Sequence, residues 1–256
     1  MSFRSLSFHA LPGLPEVLPD MALGPLILDA LAAANLALTA DDTLLVCQKI
    51  VSKSEGRRVE LSGVEPSVRA RELATMCLKD ARLVELVLRE STRVVRCVPN
   101  VLIVRHRLGF VVANAAIDQS NVPGGGEHAL LLPKDPDASA RDLREALRSA
   151  VGLAPAVIIT DSFGRAWRQG VCGTAIGSAG IQALLDRRGE TDREGRTLQV
   201  TQVAIADALA AAAALVMGEA AEGQPVVLAR GVPPNLLIES AGAAALVRPP
   251  EQDLFQ

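Results

Sequence analysis

Apolar positions along the chain follow two rhythms. They recur every three or four residues across 25–36, 67–78, 81–90, 139–151 and the alanine-rich stretch 203–217, which predicts helices. Short β-branched and aliphatic runs at 5–9, 44–51, 92–97, 101–106, 109–113, 156–160, 198–203 and 225–229 predict strands. Pro99 and Asn100 mark the turn of a hairpin, and the prolines of 11–15 impose an extended loop. Residues 133–138 are expected to turn into the helix 139–151, capped by Asp137 or Ser139, with Arg141, Arg144 and Arg148 facing solvent. A charged turn is expected at 187–196, an apolar segment, helical or extended, at 236–247, and disorder over the last nine residues.

No repeat or low-complexity linker interrupts this pattern, so residues 1–256 read as a single domain in which any internal boundary is hidden. The segment 203–217 is interrupted by Asp207 and falls short of the ~20 residues needed to span a bilayer. No signal-peptide pattern opens the chain, and no membrane partner is expected.

Composition narrows the function. With 49% hydrophobic and 21% charged residues the chain can bury a large core, and with 2% aromatics and no Tyr that core is aliphatic. A base-stacking surface is therefore not expected, and a net charge of −3 gives no electrostatic basis for binding nucleic acid. Cys47, Cys77, Cys97 and Cys172 form no metal-binding spacing, which points to reduced, mostly buried thiols in a cytoplasmic protein.

Four stretches carry chemistry. IITDSFGRAWRQG, 158–170, reads as a strand ending at Asp161 that delivers Asp161 and Ser162 into a turn, with Arg165 and Arg168 beyond. QKIVSKSEGR, 48–57, crowds Lys49, Lys53, Arg57 and Arg58 at a strand end, and as strand residues Lys49 and Lys53 would share a face. NAAIDQSNVPGGG, 114–126, gathers Asn114, Asp118, Gln119, Ser120 and Asn121 before a glycine loop at 124–126 that is the best candidate for a mobile segment. Glu219 and Glu222 follow the alanine-rich helix and offer a third carboxylate. Taken singly, each stretch is equally an ordinary turn or a solvated face.

In combination they imply more. Oxygen donors suit magnesium or manganese, and an acid beside a nucleotide phosphate needs a cation between the two negative charges. Two strands ending in Asp could assemble a two-carboxylate metal site. The small-residue run 173–180 fits close backbone packing rather than a dinucleotide fingerprint, and no P-loop motif exists.

Read in order, LPGLPEV, QKIVSKSEGR, GFVVANAAIDQSNV, VIITDSFGRAWRQGVCGTAIGSAGI and VMGEAAEGQPVVLARG resemble the coenzyme F-420 gamma-glutamyl ligase family (coenzyme F-420-0:L-glutamate ligase) over most of residues 11–231. The resemblance implies an α+β fold of mixed sheets and helices in two closely associated subdomains, forming an intertwined homodimer. It implies a GTP-dependent amide ligase that adds L-glutamate to the deazaflavin precursor, then a second, gamma-linked glutamate, with two divalent cations, Mg2+ or Mn2+, and K+ as a further candidate ion.

By position, the nucleotide contacts implied fall on Leu14, Pro15, Glu16 and Val17, on Gln48, Lys49 and Lys53, on Asn121, and on Met217, Gly218, Glu219, Ala220, Ala221, Glu222, Gly223 and Gln224. The metal ligands implied are Asp118 and Asp161 for one ion, with Ser162 and Glu219 for the second. Asp118, Asp161, Lys53 and Arg165 are the expected catalytic group, Lys53 and Arg165 steadying the transferring phosphoryl. Ala116 stands where the family often has glycine, and Ala166 where proline is common. The same two-aspartate site could instead serve a metal-dependent phosphohydrolase with water as acceptor, and a third reading is a non-catalytic binding protein.

Overall fold

Alternation inside the aliphatic runs explains how they assemble. The structure, a computed structural model, describes residues 5–120 and 125–253. In chain order its first elements are β1 (Ser7–Ala10), α1 (Leu23–Ala33), β2 (Thr43–Cys47), α2 (Gln48–Ser54), β3 (Arg58–Glu60), α3 (Val68–Cys77), α4 (Ala81–Arg89), β4 (Ser91–Val98), β5 (Val101–His106) and β6 (Val111–Ala113). There follow β7 (His128–Leu130), α5 (Pro136–Val151), β8 (Ala156–Arg165), β9 (Arg168–Ala179), β10 (Leu184–Asp186), β11 (Gln202–Ala204), α6 (Ile205–Met217) and β12 (Val226–Arg230), with short 3-10 turns between. This is a mixed α+β fold with several sheets, as expected.

The main sheet has five strands in the order β1-β12-β2-β8-β9. Only β2 and β8 run parallel; the other neighbours are antiparallel. Because successive side chains point to opposite faces, Leu44, Val46, Val157, Ile159, Val226 and Leu228 pack against α1 and α5. Leu45, Ile158, Val227 and Ala229 pack against α6. Both faces are therefore covered, which is why these strands read as continuous aliphatic runs. Each large buried side chain contributes about 1.5–3 kcal/mol relative to its exposed state.

Small residues set the helices close to β9. A Cβ added to Gly173 would stand 2.3 Å from the carbonyl oxygen of Ala210 in α6, and one added to Gly177 would stand 2.3 Å from the backbone of Pro136 in α5. The close-packing reading of 173–180 is thus borne out. A second core lies where α3 and α4 cover the β4-β5-β6 sheet through Leu73, Cys77, Val84, Val87, Leu102 and Val104. Glu90, at the end of α4, joins these parts. It accepts hydrogen bonds from Arg57 at 3.0 Å and Arg107 at 2.9 Å, and those arginines also donate to the carbonyls of Leu132 and Lys134.

Several expectations are corrected. The run 44–51 is not one strand: it leaves the sheet at Cys47 and becomes α2. From Gln48 onward the polar residues recur at helical spacing, and Ser52 donates to the Gln48 side chain one turn back at 2.9 Å. The strand 156–160 does not end at Asp161 but continues to Arg165, because β9 pairs with it along its whole length, Asp161 opposite Thr174 and Ser162 opposite Gly173. The turn falls at Ala166 and Trp167, Trp167 having φ +65°. With only the second central residue left-handed, this is the turn class that favours proline at the position of Ala166.

Helix α5 starts at Pro136 and is capped by Asp135, which accepts from the Ala138 N–H at 2.9 Å. Pro is well suited to that first position. Arg144 is not a solvated side chain, since it donates to the Pro155 carbonyl at 3.1 Å and pairs with Glu239. Segment 236–247 is neither one helix nor a strand: a 3-10 turn at Pro234–Leu236 ends at its first residue and Ala243–Leu246 forms a second, while Pro250–Gln252, expected to be disordered, forms another. No helix among the described residues is long and apolar enough to cross a membrane.

Candidate functional site

The parallel pairing sets the C-terminal end of β2 beside the middle of β8, Cys47 opposite Thr160, so that β8 runs on past the end of its neighbour. Beyond the end of β2 opens a cavity of about 920 Å³, the kind of position where α/β sheets hold ligands. Its walls come from the proline loop (Leu14, Pro15, Glu16, Val17), from α2 (Lys49, Ile50, Lys53), from 118–120, from Thr160, Asp161 and Ser162, and from 217–225.

Helix α2 supplies the cations. Lys49 and Lys53 are one turn apart and so share a face. Lys53 Nζ donates to Glu16 Oε1 at 2.7 Å. Lys49 Nζ lies 2.7 Å from Asp118 Oδ2 and 3.0 Å from Ser120 Oγ. Asp118 also accepts from its neighbour's backbone, Ser120 N to Oδ1, at 2.7 Å. Burial alone would raise the Asp118 carboxyl; the Lys49 ammonium and the Ser120 hydrogen bonds more than offset this and hold it below the usual carboxylate range.

Asp118 reaches the cavity by an unusual backbone. Asn114, Ala115 and Ala116, with φ of +52°, +54° and +54°, form a left-handed turn before it. Paired backbone hydrogen bonds between Asp118 and Leu130, at 3.0 and 2.8 Å, then fix its position. Non-glycine residues in this region are strained, and such strain gathers at functional sites.

Asp161 lies in β8 and accepts from the Ser162 N–H at 2.9 Å. Burial pushes its carboxyl up to about 7, opposed by the Ser162 N–H and Lys49 and reinforced by the negative charges of Asp118 and Glu219. Ser162 Oγ donates to Glu219 Oε1 at 2.7 Å. Glu219 follows α6 in a tightly folded loop: Gly218 has φ +76°, and a Cβ there would meet the Glu222 side chain at 2.2 Å. Glu222 accepts from the Ala220 N–H at 2.8 Å. The Cys47 thiol, at the end of β2, is pushed up to about 11, first by burial and then by the flanking Asp161 and Asp118 charges.

The structure thus brings together most of the residues singled out in the sequence. Leu14 to Val17, Lys49, Lys53, Asp118, Asp161, Ser162 and all of 217–224 line one cavity. Three do not join them. Gln48 is buried behind the wall, its side chain accepting from Ser52. Arg165 is exposed on the β8–β9 hairpin, off the cavity, donating to the Gln169 carbonyl at 3.4 Å. Asn121 lies outside the described residues, as do the first glycine of the loop 124–126 and the last three residues. Sequence reading missed Cys47, Thr160 and Gly173 as wall residues; the pairing of β2 with β8 marks the first two, and Gly173 is marked by its place in β9 opposite Ser162.

The donor set is chemically suited to a hard cation: carboxylate and hydroxyl oxygens from Asp118, Asp161, Ser162 and Glu219. Among the described residues no three acidic, His or Cys side chains converge closely enough to grip an ion as they stand. The Lys49 ammonium pairs with Asp118, and the Ser162 hydroxyl engages Glu219.

Comparison with known proteins identifies the family. The family model described as F420-0:Gamma-glutamyl ligase matches residues 13–231. A coenzyme F420:L-glutamate ligase of Methanopyrus kandleri is 46% identical over 228 residues, 88% of this chain and 90% of its own. One of Methanothermobacter thermautotrophicus is 42% identical over 251 residues, 98% of this chain and 99% of its own. One of Haloarcula marismortui is 40% identical, covering 98% of this chain and 96% of its own. With the family's sequence motifs gathered at one cavity and relatives matching nearly end to end, the chain belongs to the F420-0:gamma-glutamyl ligase family.

Proposed function

We propose that this chain joins L-glutamate to coenzyme F420-0 and then adds a second, gamma-linked glutamate, each amide formed at the expense of GTP. The observation that carries this reading is the meeting of Lys49 and Lys53 with Asp118, Asp161 and Glu219 around one cavity large enough for a nucleotide. Relatives named coenzyme F420:L-glutamate ligase supply the substrate pair.

A carboxylate does not condense with an amine in neutral water, so the acceptor must be activated. Its oxygen attacks the γ-phosphorus of GTP and GDP leaves, giving an acyl phosphate. The glutamate amine then attacks the carbonyl carbon, a proton is lost from nitrogen, and the C–O bond to phosphate breaks. No nucleophilic side chain is needed; positioning and charge stabilisation do the chemistry.

Lys53 and Lys49 bind the phosphate oxygens, while the proline loop and 217–224 enclose the rest of the nucleotide. Asp118 and Asp161 would hold one divalent cation and Ser162 and Glu219 a second. Such ions, when bound, neutralise the crowded phosphate oxygens. Arg165 has no part in this reading unless the hairpin moves. The reading includes a homodimer, supported by the tip of the β8–β9 hairpin, where the apolar Trp167 is 88% exposed. It places the enzyme in the cytoplasm, consistent with four unpaired cysteines.

The test is a mass-spectrometric assay of purified protein with F420-0, glutamate, GTP and Mg2+ or Mn2+. Product heavier by one and then two glutamyl residues supports the reading. Nucleotide hydrolysis at the same rate without F420-0 and glutamate would replace it with a phosphohydrolase.

A further inference from the structure

The cavity's charges are balanced against one another before any ligand enters. Its lining holds five carboxylates, Glu16, Asp118, Asp161, Glu219 and Glu222, against two lysines, Lys49 and Lys53. Fully ionised, this is five negative charges against two positive, a net of −3. Both lysines are already engaged, Lys53 by Glu16 and Lys49 by Asp118, each at 2.7 Å. A polyphosphate approaching this cavity meets net negative charge, and a divalent cation approaching Asp118 meets an ammonium group.

From this geometry we infer that Lys49 is a built-in counter-cation for Asp118, which makes nucleotide and divalent cation bind as a coupled pair. The inference rests on the reading of Asp118 as a metal ligand and adds the device that controls it. Lys49 already directs N–H groups at Asp118 and Ser120, so a phosphate that joins them shares the ammonium's single positive charge with Asp118 and receives it in full only when Asp118 is otherwise neutralised. A phosphate group that draws Lys49 away uncovers the Asp118 carboxylate, and a cation that takes Asp118 frees Lys49 for the phosphate. Each ligand therefore raises the affinity of the other by the same factor, as linkage requires.

The surroundings support a lysine that can move. Lys49 and Asp118 side chains are 23% and 25% exposed, so neither is locked in the core. The third partner is a hydroxyl, Ser120 Oγ, on an exposed residue. Lys53, one turn further along α2, is tied to the opposite wall at Glu16 and cannot substitute beside Asp118 while it remains so.

The experiment is Mn2+ binding, followed by electron paramagnetic resonance, in wild type and Lys49→Met, with and without saturating GDP. Lys49→Gln takes its place if the Met variant does not fold. In wild type, GDP is expected to tighten Mn2+ binding markedly. In Lys49→Met, Mn2+ alone is expected to bind about tenfold more tightly than to wild type, the effect of removing one ammonium at contact distance in a partly solvated site, and GDP is expected to add less. Mn2+ affinity within about twofold of wild type in the Met or Gln variant, without GDP, would overturn the inference. A companion Asp118→Asn variant separates the two layers. If it abolishes GDP-supported Mn2+ binding while Lys49→Met has no effect, the metal-site reading stands and the counter-cation inference falls; if it leaves Mn2+ binding untouched, both fall.

Discussion

Ser162 Oγ donates to Glu219 Oε1 at 2.7 Å, so a hydroxyl in β8 fixes the carboxylate that follows α6, 57 residues further along the chain. If Glu219 is a ligand and Ser162 its positioning partner as well as a donor, the two should differ in weight. Glu219→Gln is expected to lower kcat/KM for glutamate ligation by roughly 10–100-fold, the loss of about 1.5–3 kcal/mol for an interaction with a charged group. Ser162→Ala removes a neutral donor, and about fivefold is expected. Steady-state kinetics with the precursor varied would check this; equal activity in Glu219→Gln and wild type would contradict it.

Ala116 takes φ +54°, a left-handed conformation that glycine adopts without strain. A left-handed alanine costs about 1–2 kcal/mol, part of which glycine returns as extra freedom in the unfolded chain. Ala116→Gly is therefore expected to stabilise the protein, by up to about 1 kcal/mol, in urea unfolding. Ala115→Gly relieves the same strain at φ +54° but empties a methyl site with no solvent exposure, so no gain is expected there.

Glu90 links acid stability to the packing of α4 against 106–107 and 132–134. Burial alone would raise its carboxyl. The His106 imidazole 3.5 Å away, the hydrogen bond from Arg107, and the charge and hydrogen bond of Arg57 reverse this and hold it at about 2. A depressed folded-state value means the contribution is complete above the unfolded value and is lost as pH falls from about 4.5 toward 2. Its size is on the order of 3 kcal/mol, given a side chain only 12% exposed. Glu90→Gln should lower stability at neutral pH by about that amount and flatten the acid limb of a stability profile measured by denaturant titration. A parallel profile in the variant would count against this role.

Trp167 is the sole tryptophan of the chain and is 88% exposed at the tip of the β8–β9 hairpin. If the hairpin surface is covered in a homodimer, its fluorescence should be that of a buried indole at high protein concentration and shift to that of a hydrated indole on dilution below the dimer's dissociation range. Hydrated emission in a sample that sedimentation shows to be dimeric would place the interface elsewhere.

Strand patterning and the positions of the acids were legible in the sequence because they follow from short-range rules. Continuous aliphatic runs marked β2, β8 and β12, and Asp118, Asp161 and Glu219 each stood out beside an apolar stretch. The rest depended on partners far along the chain. Ile50 and Val51 read as strand residues, but they pack inward from a helix. Asp161 to Arg165 looked like a turn because Asp, Ser and Gly form weak strands, yet β9 supplies a full set of partners. That difference displaces Arg165: four strand residues carry it roughly 13 Å from Asp161, onto the exposed hairpin. The left-handed turn at 114–116 was marked only through the resemblance at Ala116, since Asn-Ala-Ala itself carries no glycine.

The most direct test of the account concerns Asp161, whose carboxylate shares one cavity with Lys49, Asp118 and Glu219. Release of GDP by Asp161→Asn should be measured with and without F420-0 and glutamate, alongside circular dichroism and thermal unfolding. The account predicts a folded protein in which release dependent on F420-0 and glutamate is lost by at least about a thousandfold, as expected when a charge that organises the transferring phosphoryl group is removed. Near-normal turnover in a folded Asp161→Asn variant would contradict it.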